Sequence, residues 1–133
     1  MNVFSGHISN IKVHKSLSIV SVQIQDEVEL KTIVVETPET AAYLHIGTAV
    51  KVLFKETEVI IAEKDYRPIS IQNIIKGVVK KIEKGVLLSK VILTTAIGDM
   101  EAILVSEAID ELMLTEHQEV LAMVKVNEIM ISG

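Results

Sequence analysis

The chain repeats itself, and that repeat limits what it can fold into more than any other feature. Asn2-Val3-Phe4-Ser5-Gly6 recurs as Asn73-Ile74-Ile75-Lys76-Gly77, an offset of 71. At the same offset Ile8 matches Val79, Ile11 matches Ile82, Ser18 matches Ser89 and Val20 matches Val91. One residue is then lost near Gln25–Glu29. At an offset of 70, Ile33 matches Ile103, Val35 matches Val105, Leu44 matches Leu114, Val50 matches Val120, Lys55 matches Lys125 and Glu58 matches Glu128. A collinear match broken by a single one-residue gap is the mark of a duplicated unit. The expected organisation is a first module over 1–62, a linker over 63–69 and a second module over 70–133. Glu63-Lys64-Asp65-Tyr66-Arg67-Pro68, charged and ending in proline, reads as the linker.

Within each copy the period is that of strands. Ser18–Ile24 alternates, with Val20, Val22 and Ile24 on one face and Ser21 and Gln23 on the other. Gly6–Ile11 supplies a strand before it. Asp26–Glu29 is a turn, followed by apolar, β-branched strands at Leu30–Val35, Val50–Phe54 and Val59–Ile61. After the third strand the pattern changes. Thr37-Pro38, then Glu39, Ala41, Ala42 and Leu44, reads as a short helix with Thr37 as cap, Pro38 in the first turn and Gly47 just past its end. In the second copy Ser106 is placed to cap Glu107–Leu114. The order predicts an all-β fold: two tandem OB-like five-stranded β-barrels, each with one short helix between strands three and four.

Composition sets limits on function. Aromatics are 3% of a chain that is 49% hydrophobic, so the core must be aliphatic. Modules of about 65 residues bury a limited share of their surface, which favours oligomerisation. There is no cysteine, which excludes thiolate metal sites and disulfides. The N-terminal residues have neither a basic start nor an apolar run, and no stretch reaches the ~18 apolar residues of a membrane helix. The expectation is a cytoplasmic protein without membrane insertion. Net charge is −5, with a single arginine, a poor basis for neutralising nucleic-acid phosphates. Phe4, Tyr43, Phe54 and Tyr66 are too few and too scattered to form a base-stacking platform.

Each copy resembles the Mop module, also called TOBE, of molybdate-binding proteins and of molybdate transporter ATPases and regulators. That pattern runs Ser-Ala-Arg-Asn, a Gly four residues after the Asn, a β hairpin, Ile-Thr-x-x-Ser before a short helix, Leu-x-x-Gly, and a late Lys-Ala-Ser. Asn2 with Gly6, and Asn73 with Gly77, fit the opening, and Ser70-Ile71-Gln72-Asn73 fits its Ser and Asn. Leu44-His45-Ile46-Gly47 fits the loop after the helix. Lys55-Glu56-Thr57 and Lys125-Val126-Asn127 fit the lysine motif. The sequence departs from the pattern where Gln72 replaces the arginine. The Thr-x-x-Ser positions hold Val35 and Pro38 in one copy, and Val105 and Ala108 in the other.

The resemblance implies a binding protein, not an enzyme, whose ligand is the molybdate or tungstate oxyanion and which needs no cofactor. It also implies sites between subunits of a homo-oligomer, a trimer of tandem chains. A tetrahedral dianion offers only acceptors, so its site must gather donors. Lys125 and Lys55 head the candidate set, followed by Ser70, Asn73, Gln72 and Thr37, the last beside a helix N-terminus. Each has a competing structural role: a solvated strand-end charge for the lysines, local turn bonding for Ser70 and Asn73, and helix capping for Thr37. Lys76, Lys80, Lys81 and Lys84 read as a solvated hairpin face. His7, His14, His45 and His117 lack metal-ligand spacing, so no direct metal site is expected. The alternative function is a TOBE-type oligomerisation or regulatory module that has lost anion binding.

Overall fold

The computed structural model describes residues 1–26, 28–66 and 68–133. The expected turn at Asp26–Glu29 and the linker therefore each include one residue, Glu27 and Arg67, outside the described set. Ten strands form two five-stranded antiparallel sheets. The first half contributes β1 (Asn2–His14), β2 (Leu17–Gln25), β3 (Val28–Val34), β4 (Ala49–Phe54) and β5 (Ile60–Glu63). The second contributes β6 (Asn73–Glu83), β7 (Leu88–Thr95), β8 (Gly98–Val105), β9 (Glu119–Val124) and β10 (Met130–Ser132).

The two halves exchange their last strands. The sheet orders are β10-β4-β1-β2-β3 and β5-β9-β6-β7-β8. Thus β5 pairs with β9, Ile60 opposite Met123, while β10 pairs with β4, Met130 opposite Leu53. Each barrel expected from a contiguous half instead takes its outermost strand from the other. The chain crosses after a single 3₁₀ turn following β4 (Glu56–Glu58) and another following β9 (Val126–Glu128). The residue leaving each turn, Val59 or Ile129, is buried, and one contiguous aliphatic core runs through both halves. Phe4 and Phe54 stack within it, ring centroids 5.9 Å apart.

β1 is long because it serves two partners. Asn2–His7 pair with β4 and His7–His14 with β2, with a bulge between Ile8 and Asn10 where the strand changes direction. β6 repeats this, with its bulge between Val79 and Lys81. Gly6 lies just before the first bulge because a Cβ there would stand 2.4 Å from the Gln23 carbonyl oxygen. Its counterpart Gly77 is less confined, its nearest contacts at 3.4 Å.

A helix follows the third strand in only one half. α1 (Ser106–Glu111) forms after β8, but residues 37–47 are a series of turns. The Ala41 N–H bonds the Thr37 carbonyl at 2.9 Å and the Thr40 hydroxyl accepts from the Thr37 N–H at 2.8 Å, as at a helix start, but the chain does not continue it, and the Leu44 N–H bonds the Ala41 carbonyl at 3.2 Å. Thr37 therefore leads a single turn and caps no helix. Nor does Ser106, which is the first helical residue; its hydroxyl bonds the Gly85 carbonyl and the Ser89 hydroxyl, both at 2.8 Å. Gly47 does take the left-handed conformation, φ +94°. Its counterpart His117 does so at φ 71°, and the two N–H groups bond the carbonyls of Ile8 and Val79, each at 2.7 Å.

Candidate functional site

Lys55 and Lys125 occupy repeat-equivalent positions, each one residue beyond the last residue of its strand and leading the 3₁₀ turn that carries the exchanged strand away. Their backbones are extended (φ −73°, ψ 150° and φ −65°, ψ 147°), and their carbonyls accept from Glu58 and Glu128 N–H at 3.0 Å. Both side chains are exposed and make no ion pair among the described residues. Beside Lys55, the Glu56 carboxyl is held below its ordinary range, chiefly by a hydrogen bond from the Met1 amino group.

Asn73 is committed elsewhere. It is 2% exposed, its amide donates to the Lys31 carbonyl at 2.8 Å, and its carbonyl oxygen accepts from the Lys31 N–H at 2.7 Å. The side chain imitates a neighbouring strand and holds the outer edge of β3 in the other half. Asn2 does the same to Glu101 on β8, both bonds at 2.8 Å. This pair of clamps gives the repeated asparagine a structural role and engages one of the two Asn73 amide hydrogens.

The remaining candidates divide. Gln72 and Ser70 are exposed in the segment entering β6. Because Asn73 sits opposite Val124, Gln72 and Lys125 flank that pair at one end of the second sheet. Lys55 lies at the matching end of the first sheet, next to the Asn2–Phe54 pair. Thr37, half-buried, lies beyond the far end of β3 and joins neither group.

Gln72 lines an open groove together with Glu29, Lys31, Pro68, Ile69, Ile71 and Ile74. Lys31 reaches this groove because the clamp holds β3 against the start of β6. The carboxylate of Glu29 is engaged by the Ser9 hydroxyl at 3.0 Å. A second groove, lined in part by Lys64, Asp65, Lys76, Thr94 and Glu119, mixes cations and carboxylates, and Lys64 is bonded to Glu119 at 3.4 Å. In the basic run, all exposed, Lys80 pairs with Asp99 at 2.7 Å and Lys84 with Asp110. The four histidines are exposed, and no group of three or more metal-ligating side chains occurs among the described residues. Among those residues no helix is long and apolar enough to cross a membrane.

Two five-stranded sheets that exchange strands, with lysines at the sheet ends, define the class: an all-β, OB-like protein with an exposed, donor-bearing groove. The TOBE domain family matches residues 69–131. The "Molybdenum transport protein ModE" of Herbaspirillum seropedicae is 31% identical over 134 residues, covering 98% of this chain. The chain spans about half of that relative's length, 49%. The crystal structure of the cytoplasmic molybdate-binding protein ModG, with molybdate bound, superposes with a TM-score of 0.88 at 28% identity, covering 98% of this chain and 94% of that one. The chain belongs to the Mop/TOBE family.

Proposed function

We propose that this chain binds molybdate or tungstate in the cytoplasm, for storage or homeostasis, at sites completed between subunits of a homo-oligomer. The observation that carries the reading is the near full-length match to a molybdate-bound structure. Exposed Lys125, Lys55, Gln72 and Ser70 supply donors that a dianion needs. Assembly is supported by apolar side chains left in solvent, two pairs of them at repeated positions. Val35 and Val105 are 77% and 58% exposed, Leu17 and Leu88 48% and 58%, and Val86 and Leu87 at the β6–β7 hairpin are 95% and 80% exposed. A trimer of tandem chains is the assembly proposed, acting on a small oxyanion without nucleic acid or catalysis.

A second reading has its own support. Val35 and Val105 stand where the family pattern has a hydroxyl, and Asn73 spends one amide hydrogen on Lys31. On that reading the module assembles but holds no anion. Thermal unfolding with molybdate, tungstate, sulfate and phosphate separates the two, since a ligand of the native state alone stabilises it by RT ln(1 + [L]/Kd). Molybdate and tungstate should raise the midpoint, and Lys125→Ala should reduce that rise without unfolding the chain. No rise with any anion would favour the second reading.

A further inference from the structure

We propose that Lys31 sets anion binding in the groove beside Gln72, and that of the two repeat-equivalent ends only this one accepts a dianion. The proposal rests on the anion-binding reading above, assigns it to one end, and so removes Lys55, at the other end, from the donors. The clamps grip matching backbone groups at the two ends but residues of opposite charge. Asn73 grips both backbone groups of Lys31, and Asn2 grips both of Glu101, through four bonds of 2.7–2.8 Å. What stands on the gripped residue is an ammonium at one end and a carboxylate at the other.

At the first end, Lys31 shares its groove with Gln72, with Ile69, Ile71 and Ile74, and with Glu29, whose carboxylate accepts from the Ser9 hydroxyl at 3.0 Å. It makes no ion pair among the described residues. The clamp fixes its backbone, so the ammonium is tethered to a rigid strand rather than to a loop. Apolar walls displace water and strengthen its attraction for a dianion. Gln72 adds amide donors, and Lys125 lies at the same end of the sheet. At the other end Glu101, 3.9 Å from Lys90, repels a dianion and occupies the nearby cation.

The test is isothermal titration of the full chain with sodium molybdate, comparing wild type with Lys31→Glu, Lys31→Arg and Glu101→Gln. Lys31→Glu gives this end the charge of the other, and binding should weaken at least about tenfold, the loss of one charge-assisted contact. Lys31→Arg should retain affinity within about threefold, because the charge stays. Glu101→Gln should leave both affinity and the number of anions per chain unchanged. Urea midpoints should stay close to wild type, since the clamp uses only the backbone of residue 31. If Lys31→Glu fails to fold, Lys31→Gln replaces it, with the same direction of effect. Wild-type binding that Lys31→Glu leaves undiminished, or an added anion in Glu101→Gln, overturns this inference alone. Absence of binding to wild type overturns the functional reading with it.

Discussion

Replacing Asn73 by alanine removes two hydrogen bonds in one step. The amide contacts Lys31 at 2.7 and 2.8 Å from a side chain that is 2% exposed. Each bond contributes about 1 kcal/mol net, and the Lys31 N–H and carbonyl are left with poor access to another partner, which adds to the cost. The expected destabilisation is about 2–3 kcal/mol. With a urea m-value of roughly 1.5 kcal/mol/M, the unfolding midpoint falls by about 1.3–2 M at unchanged m. Asn73→Asp should cost at least as much at neutral pH, because a carboxylate cannot donate to the Lys31 carbonyl. Asn2→Ala should match Asn73→Ala, since its bonds to Glu101 have the same geometry. A loss below about 1 kcal/mol for Asn73→Ala would mean that water replaces the clamp, and the account of how the halves are held together would be wrong.

Gly6→Ala forces a Cβ to within 2.4 Å of the Gln23 carbonyl and should cost more than about 2 kcal/mol by urea unfolding, while Gly77→Ala, with contacts at 3.4 Å, should stay within about 1 kcal/mol. The Tyr43 hydroxyl donates to Glu36 at 2.8 Å, and burial followed by that carboxylate pushes its pKa from 10.0 up to about 12. The raised value favours the protonated phenol in the fold, so its stabilisation is complete below pH 10 and is lost as pH climbs toward 12. Tyr43→Phe should therefore flatten that part of the alkaline stability profile, and an unchanged slope would remove Tyr43 as its source.

What could be read in the sequence was whatever depends on short-range pattern. The repeat, the strand alternation of Ser18–Ile24 and the positive φ at Gly47 all follow from local chemistry. The exchange of β5 and β10 does not, because a strand that folds back and one that crosses over need the same alternation. After β3 the first half makes one helical turn, at Thr37–Ala41, where the second makes α1, and the local pattern of the two segments does not separate them. Among the site candidates, Lys55 and Lys125 stand out in the sequence by their motif and their place in the repeat. Asn73 reads there as a donor or a turn residue, and its partner Lys31, 42 residues away, leaves no local trace. Lys31 itself carries no local signal beyond facing Glu101 across the repeat.

The central claim is that this chain holds a tetrahedral dianion through donors at its sheet ends. Isothermal titration of the wild-type chain with molybdate, and separately with sulfate and phosphate, tests it most directly. Saturable binding of molybdate at a fixed number of anions per chain, far tighter than that of phosphate, is the predicted result. Heats no larger than dilution for molybdate and tungstate alike would contradict it.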